Sequence, residues 1–369
     1  MKIRKLGWMF LGVTSLACSG QYEVGGMDAT AGTGSNQGTA GSATSGGSGT
    51  APTAGSAPML PVDDGTPVGI DADCLTADAT SPLTGPFATP AVVWQRVATL
   101  IGGEDATPPE LPEETTYEWA GSLVPIAISQ LDPGNAVGID AFLREWLRLE
   151  PEATLETPWG ALLPASRPAL QVLLETTWVP NRTGIFTEPS WLSQYDSISK
   201  RGANMEGSLF GAVPPSPPAG IQNPDPNPTV SERQAIEIAV ANPACASCHR
   251  LFDPSGYALG HFAADGSYRE LDRGPIDTTG SRLVGSGSAV EFDGIADYGQ
   301  KFANTCAATF GFSDAFLRAA LVLNEAPQAA REDLLQGSRE RVQQAFVNGG
   351  RSYAALVAAY IQSPAGLRP

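Results

Sequence analysis

Residues 245–249 read Cys-Ala-Ser-Cys-His, and this C-x-x-C-H stretch decides how the rest of the chain is interpreted. Its spacing is that of a c-type haem attachment site. Two thiols three positions apart at the end of a helix can each bond to one vinyl group of a porphyrin, and the adjacent histidine can bind the iron axially. The motif predicts one covalent haem c per chain, attached to Cys245 and Cys248, with His249 as the iron ligand.

Three other uses of the motif are weaker. A zinc site needs four ligands, so the two cysteines and His249 would have to recruit His261, the other histidine of the chain, in an awkward geometry. A thioredoxin-like redox pair belongs to a βαβ pattern, which the flanking sequence does not show. A disulfide between Cys245 and Cys248 would close a ring too small to add much stability.

Helical patterns lie on both sides of the motif. Ser231 is a suitable N-cap for a helix over residues 231–242. Apolar residues at three-to-four spacing predict further helices over residues 91–101, 117–130, 138–149, 297–308, 313–322, 329–347 and 353–361. Residues 184–230 are rich in Pro and Gly, and Gly-rich turns within 270–295 leave room for one short hairpin. We therefore expect a mainly α fold, a helical c-type haem domain with irregular Pro/Gly-rich loops and a short β-hairpin.

Composition and charge exclude several classes of function. The 369 residues contain 22 Lys and Arg against 39 Asp and Glu, a net charge of −17. A phosphate backbone is bound by surplus basic residues, so nucleic acid is not an expected partner. Two histidines and five cysteines are too few for a multi-histidine metal site or a disulfide-dense scaffold. The sequence also has no phosphate loop and no dinucleotide fingerprint.

Residues 1–18 are predicted to be a lipoprotein-type signal peptide. Lys2, Arg4 and Lys5 form a basic start, residues 6–13 are apolar, and small residues precede Cys18. The apolar run is shorter than the roughly 20 residues of a membrane-spanning helix. Cys18 would be the lipidated first residue of the mature chain. The alternative is an ordinary secretory signal with an incidental cysteine.

Residues 19–60 consist mainly of Gly, Ser, Ala and Thr. Such a segment cannot bury enough apolar surface to offset its ordering entropy, so it is predicted to be a flexible linker. Signal and linker together predict a protein secreted across the cytoplasmic membrane. It would be lipid-anchored, in the periplasm or on the outer-membrane surface, and would touch the membrane only through its anchor.

The sequence around the haem motif resembles the haem-binding domain DUF1588. Residues 245–259 combine C-x-x-C-H with Asp-Pro-Ser-Gly-Tyr-Ala-Leu, and residues 266–269 read Gly-Ser-Tyr-Arg. Upstream, Arg-Gly at 201–202 and the Pro-rich run at 214–218 are similar to the opening of that domain. At 258–263 the chain has Ala-Leu-Gly-His-Phe-Ala, where the family usually has Ala-Leu-Glu-Asn-Phe-Asp. The resemblance implies an extracytoplasmic haem protein that transfers electrons, and it supplies no substrate.

The flanking regions resemble the domains that accompany DUF1588. Residues 142–147 and 184–187 are similar to DUF1592, and residues from 274 to the C-terminal helices are similar to DUF1585. These resemblances divide the folded part into a helical DUF1592-like region at 61–200, a DUF1588-like haem-binding region at 201–270 and a DUF1585-like helical region at 271–369.

The sixth ligand of the iron decides between electron transfer and enzymatic chemistry. Met27 and Met59 lie in or beside the linker, which leaves Met205, in a segment predicted to be irregular, and His261. A turn at 253–256 would reverse the chain and bring His261 towards the haem. His261 is otherwise a partly exposed helix residue, or a hydrogen-bonding residue elsewhere. If neither side chain binds iron, the open position would admit peroxide, oxygen or another small ligand.

Four further residues are candidates for defined roles. Arg269 would pair with a haem propionate or form an ordinary surface ion pair. Tyr257 would pack on the porphyrin or on the adjacent core. Cys74 and Cys306 would form a disulfide that closes a long loop, for which loop-closure entropy gives roughly 4 to 5 kcal/mol; otherwise each is a buried thiol.

These observations predict a cytochrome-like lipoprotein that transfers electrons to or from a redox partner, which its own acidic surface suggests is basic. A haem enzyme of peroxidase or oxygenase type with an open iron position is the first alternative. A surface-exposed binding or scaffold protein with a structural haem is the second. Whether the protein is an enzyme follows from the sixth iron position.

Overall fold

The computed structural model describes residue 74 and residues 82–102, 106–130, 136–164, 167–212, 229–284 and 288–369. All of these residues belong to the unit Met59–Pro369. The predicted signal peptide with Cys18, the linker with Met27, and Met59 lie outside the described residues.

Helices dominate the described part of the chain, as the sequence predicts. The α-helices are α1 (Pro90–Leu100), α2 (Tyr117–Ser129), α3 (Val137–Leu147), α4 (Trp159–Leu162), α5 (Ala169–Glu175), α6 (Pro189–Gln194), α7 (Ile198–Phe210), α8 (Glu232–Val240), α9 (Pro243–Tyr257), α10 (Gly294–Phe302), α11 (Cys306–Leu323), α12 (Gln328–Asn348), α13 (Tyr353–Ile361) and α14 (Pro364–Leu367). The strands are β1 (Thr177–Val179), β2 (Arg182–Thr183), β3 (Thr279–Val284) and β4 (Ser288–Asp293). The mainly α fold class is therefore confirmed.

The strands form two antiparallel pairs, β1 with β2 and β3 with β4. The second pair runs in continuous register from Thr279 opposite Asp293 to Val284 opposite Ser288. This is the short hairpin that the Gly-rich stretch at 270–295 predicts. Gly280 lies under the ring of Phe292, where a Cβ atom would clash, so the close approach requires a glycine.

The core forms where apolar helix faces meet. The apolar residues spaced three and four apart on α3 are all buried, as predicted. The ring centroid of Phe142 lies 5.1 Å from that of Phe316, and Trp146 is 5.1 Å from Phe312 on the same helix, α11. Edge-to-face pairs of this kind add about 0.5–1.5 kcal/mol each beyond the burial of their area. They fix α3 against α11.

Helix α11 is long and apolar enough by length and composition to cross a membrane. Half of it is buried inside the fold, and it packs against α12, α7 and α3. These contacts are those of a core helix, so its hydropathy is explained by the packing.

Three segments differ from the sequence-based expectation. Residues 297–308 are predicted to be one helix, but they are divided between α10 and α11. Residues 201–209 were expected to be irregular, but they lie in the middle of α7. Residues 253–256 were expected to reverse the chain, but they continue α9 to Tyr257, with Pro254 inside the helix. Glycine and proline weaken a helix taken alone. Here the contacts between α7 and α9, the most extensive between any two described elements, outweigh that weakness.

The first and last described helices are joined to each other. The backbone N–H of Ala88 donates to the carbonyl oxygen of Leu367 at 2.6 Å, and Arg96 Nη1 donates to Gly366 O at 2.9 Å. The hydroxyl of Tyr353, on α13, donates to Leu100 O at 2.8 Å. The start of the described chain around α1 therefore packs against its last helices, α13 and α14.

Cys74 and Cys306 form a disulfide, with their Cα atoms 5.5 Å apart and 232 positions apart in sequence. We expect Cys306→Ser to lower the free energy of unfolding by about 4 kcal/mol, because an open chain has more unfolded conformations. Urea denaturation with and without a reductant measures this. Reductant should lower the stability of the wild type to that of the variant and leave the variant unchanged. A wild type insensitive to the reductant would contradict the prediction.

Candidate functional site

The C-x-x-C-H motif lies in the first turns of α9. Helix α8 starts with Ser231 as its cap, in a capping box with Gln234, and ends at Val240 before α9 begins at Pro243. The motif is therefore inside a helix of its own rather than at the end of the preceding one. Cys245 and Cys248 are half-buried free thiols. Positions three and four apart share a helix face, so both thiols and the imidazole of His249 lie along one side of α9.

Asp253 fixes the orientation of His249. Its Oδ2 atom lies 2.9 Å from His249 Nδ1, one helical turn further along α9. The imidazole is 33% exposed, whereas the carboxylate is 2% exposed. An ionised carboxylate can only accept, so Nδ1 donates the hydrogen bond. The other ring nitrogen, Nε2, then carries the lone pair that a metal would bind.

Helix α7 supports this part of α9 from below. Gly202 meets the backbone of Phe252, and Gly256 meets the carbonyl of Ile198, so closely that a Cβ atom on either glycine would overlap backbone atoms. The two helices thus cross with a glycine from each at the contact. This crossing sets the height and rotation of α9, and with them the direction in which His249 points.

Arg201 holds the chain that leaves α9. It is fully buried, and its guanidinium donates to the carbonyl oxygens of Tyr195 at 2.7 Å, Phe262 at 2.6 Å, Leu192 at 3.1 Å and Ala263 at 2.6 Å. Burial lowers the pKa of Arg201 to about 10, so the side chain keeps its charge at neutral pH. It ties the segment after α9 to the start of α7.

Apolar side chains around the motif are left uncovered. None of the nine residues of α8 is buried, although the helix is amphipathic and carries Ile236, Ile238 and Val240. Ile238 is 62% exposed, and Leu251, three positions after Cys248 on α9, is 67% exposed. Amphipathic helices normally bury their apolar stripe. The exposed side chain of Leu251, one helical turn after Cys248, therefore leaves apolar surface next to the motif that a flat apolar ligand would cover.

The donor arrangement fits a haem better than a zinc ion. Within the described residues, no three His, Cys, Asp or Glu side chains converge as metal ligands. A zinc ion needs its ligands around one point, and Cys245, Cys248 and His249 do not meet that need. Haem attachment does not require convergence, because the thiols bond to two separate vinyl groups and only the imidazole binds the iron. The thioredoxin-like alternative lacks its βαβ surroundings, since α9 packs against α7, α8 and β3, and β3 belongs to an antiparallel hairpin.

His261 lies beyond the end of α9, outside any helix. Its Nδ1 donates to the carbonyl oxygen of Arg269 at 2.9 Å, and its ring stacks on that of Tyr268 with centroids 5.3 Å apart. From His249 to Tyr257 the helix rises about 12 Å, at 1.5 Å per residue. The prediction that a turn returns His261 to the motif is wrong, because α9 continues through residues 253–256. Of the roles that the sequence offered for His261, hydrogen bonding elsewhere is the one that agrees with these contacts.

Met205 lies on α7 and is fully buried in the hydrophobic core. Its environment is therefore the packed interior, whereas the C-x-x-C-H motif is on a half-exposed helix face. The core needs an apolar side chain at this position, and the sulfur atom adds no polar demand.

The two other candidate residues have protein partners. Arg269 lies 3.5 Å from Glu232 and 3.4 Å from Asp272, which is the ion-pair alternative that the sequence offered for it. Tyr257 is half-buried at the end of α9, with the guanidinium of Arg233 over its ring at 4.2 Å from the centroid. Burial raises the pKa of the Tyr257 hydroxyl to about 12.

Two supporting residues were not assigned roles from the sequence. Asp253 follows His249 by four positions, a spacing that places both on one helix face, so the pairing was available once α9 was recognised as a helix. Arg201 belongs to the resemblance to DUF1588, but its role depends on carbonyl groups from two separate segments, residues 192–195 and 262–263. No local pattern indicates such contacts.

Comparison with known families gives one result. Residues 182–272, about a quarter of the chain, match the family model described as PSCyt3, protein of unknown function (DUF1588). The match extends from β2 through α9 and the turn after it, and it confirms the DUF1588 assignment for this region of the chain. The DUF1592-like and DUF1585-like resemblances and the three domain boundaries stay predictions. No curated protein and no solved structure matches the chain.

Proposed function

We propose that the chain, whose residues 182–272 form a DUF1588 region, carries one covalent haem c on α9 and uses it as a redox centre. Cys245 and Cys248 would form the thioether bonds, and His249 would bind the iron through Nε2. The observation that carries the proposal is the fixed imidazole: Asp253 holds Nδ1 at 2.9 Å while two free thiols share the same helix face.

Electron transfer is the activity that suits this position best. A bound haem c supplies a one-electron couple, and the half-exposed face of α9 would place it where a partner protein can approach. The net charge of −17 favours a basic redox partner, because opposite charge speeds encounter between proteins.

Binding of a small ligand is a second candidate, and the placement of two residues favours it. Met205 belongs to the core, and His261 lies past the end of α9 with its Nδ1 on a carbonyl. An iron without either ligand would keep an open position, as peroxidase- or oxygenase-type chemistry requires.

We further propose that the protein works outside the cytoplasm, anchored by a lipid on Cys18. The disulfide between Cys74 and Cys306 supports this location, because such bonds form and persist in oxidising compartments. Covalent haem attachment in bacteria also takes place beyond the cytoplasmic membrane.

The decisive experiment is to export the full chain from a host with haem-attachment machinery and to measure its haem. We expect an intact mass increased by one haem and a positive alkaline pyridine assay. Cys245→Ser with Cys248→Ser should lose all covalent haem, while Cys306→Ser, a matched cysteine outside the motif, should keep it. Wild-type protein without covalent haem would overturn the proposal.

Absorption spectra of the ferric and dithionite-reduced forms then separate the two candidates. A six-coordinate low-spin spectrum supports the electron carrier. A high-spin spectrum that responds to cyanide or carbon monoxide supports the small-ligand site. A haem without an accessible redox couple would favour a structural role instead.

A further inference from the structure

We infer that Asp253 is a positioning residue that lowers the reduction potential of the iron by acting through His249. The inference rests on the proposed haem attachment. It adds to that proposal a residue that would stabilise the ferric state of the bound iron. It concerns the iron ligand His249 and the carboxylate hydrogen-bonded to it.

The geometry makes the carboxylate a permanent partner of the imidazole. Asp253 and His249 are four residues apart on α9, so one helical turn brings the two side chains together without loop motion. The 2.9 Å contact joins Nδ1 to Oδ2. The Nδ1–H group donates its hydrogen bond to the carboxylate, and this contact makes Nε2 a stronger electron-pair donor to a metal.

Burial increases the effect of the charge. The carboxylate is 2% exposed, because α7 crosses directly beneath this turn of α9 at Gly202 and Gly256. A negative charge shielded from water acts strongly on charges a few ångströms away. Burial raises the pKa of Asp253, and the neighbouring imidazole and the hydroxyl of Ser199 act in the opposite direction.

The guanidinium of Arg233, on the neighbouring helix α8, has other carboxylate partners. Arg233, which covers the ring of Tyr257 one turn further on, pairs with Glu237 at 3.0 Å and Asp277 at 3.2 Å. The carboxylate of Asp253 thus interacts directly with the imidazole of His249 and with the hydroxyl of Ser199.

The consequence follows from charge. Ferric iron carries one positive charge more than ferrous iron, so a stronger imidazole donor and a buried anion behind it both favour the ferric state. Changes to such supporting partners typically alter metal affinity 10–100-fold. If the loss of the carboxylate weakens the binding of ferric iron alone by this factor, the midpoint potential of the variant is higher by about 60–120 mV, at 59 mV per tenfold for one electron.

Asp253→Asn tests the inference in the exported full chain. The amide keeps the shape of the side chain and an oxygen that can accept from Nδ1, but it removes the charge. Glu270→Gln, at an exposed acid after the haem motif, is the control with an equal change of charge. A mediated titration between ferricyanide and dithionite gives the midpoint potential of each protein.

We expect the midpoint potential to rise in Asp253→Asn and to stay within a few millivolts of the wild type in Glu270→Gln. Equal potentials in all three proteins, or an equal rise in both variants, would overturn the inference and leave haem attachment standing. Absence of haem from the wild type would instead remove the proposed function. The two failures are therefore distinct.

If Asp253→Asn does not fold or does not attach haem, the wild type still provides a test. The iron–histidine stretching frequency, recorded by resonance Raman spectroscopy after photolysis of the ferrous carbon monoxide complex, reports the strength of the Nε2 donor. We expect it to be higher than that of ferrous haem bound by neutral imidazole in buffer. An equal or lower frequency would overturn the inference.

Discussion

Gly202→Ala should destabilise the protein by about 4 kcal/mol, because the added Cβ atom has no space at the crossing of α7 and α9. It would overlap the carbonyl group of Phe252, which belongs to the backbone of a helix and cannot rotate away. The helices must separate, which breaks contacts along their whole interface. Overpacking commonly costs about 1–3 kcal/mol, and the backbone collision places this case at or above the upper end.

Gly207→Ala provides the matched control on the same helix. At that position the nearest atom to an added Cβ is Ala212 O at 3.5 Å, an ordinary van der Waals contact. Alanine is the better helix former by about 1 kcal/mol, so this variant should be as stable as the wild type or more stable. Urea denaturation followed by circular dichroism measures both. Similar stabilities for the two variants would show that the crossing is not as close as described.

Arg201→Met should lower the free energy of unfolding by about 4 kcal/mol, since it removes a buried guanidinium that donates to four carbonyl oxygens. Four carbonyl oxygens lose their guanidinium donors, two of them in the segment at Phe262 and Ala263 that follows α9. A buried acceptor left without a partner costs about 1–3 kcal/mol, and some of these oxygens will regain water when the segment loosens. The loss should therefore be large but smaller than four full penalties.

Lys200→Met removes the same charge from the adjacent position and serves as the control. Lys200 is 59% exposed and pairs with Asp196 at 2.7 Å across one helical turn. Exposed pairs of this kind contribute about 0.3–0.5 kcal/mol, so this variant should stay close to the wild type. Denaturation midpoints decide between the two, and hydrogen exchange at Phe262 and Ala263 should accelerate only in Arg201→Met. Equal effects of both substitutions would contradict the role of Arg201 in holding the segment after α9.

The helices that sequence patterns predict best are those that bury a continuous apolar stripe. Residues 353–361 form α13 with the predicted bounds, and α1, α2 and α3 begin and end within two residues of their predictions. Local sequence patterns predict the middle of the chain less well. Helix α7 has Gly202 and Gly207 in its interior, so local propensity argues against a helix that is stabilised by its partner.

The candidate site shows the same division. The spacing of Cys245, Cys248 and His249 states its chemistry locally, so the motif was recognised at once. The helix that carries it was not, because Pro254 and Gly256 suggested a turn. That single difference moved His261 away from the motif and brought Asp253 to it. Interactions four residues apart are visible in a sequence only after the secondary structure is known.

The pairing of the first and last described helices has a consequence for the order of folding. The hydrogen bond from Ala88 to Leu367 and that from Tyr353 to Leu100 join residues more than 250 positions apart. Helix α1 can therefore not complete its packing until α13 and α14 have been synthesised. Contacts of such high sequence separation form slowly, because a long loop must close before they contribute any stability. Folding of this part of the chain is expected to be a late and slow event that follows synthesis rather than accompanying it.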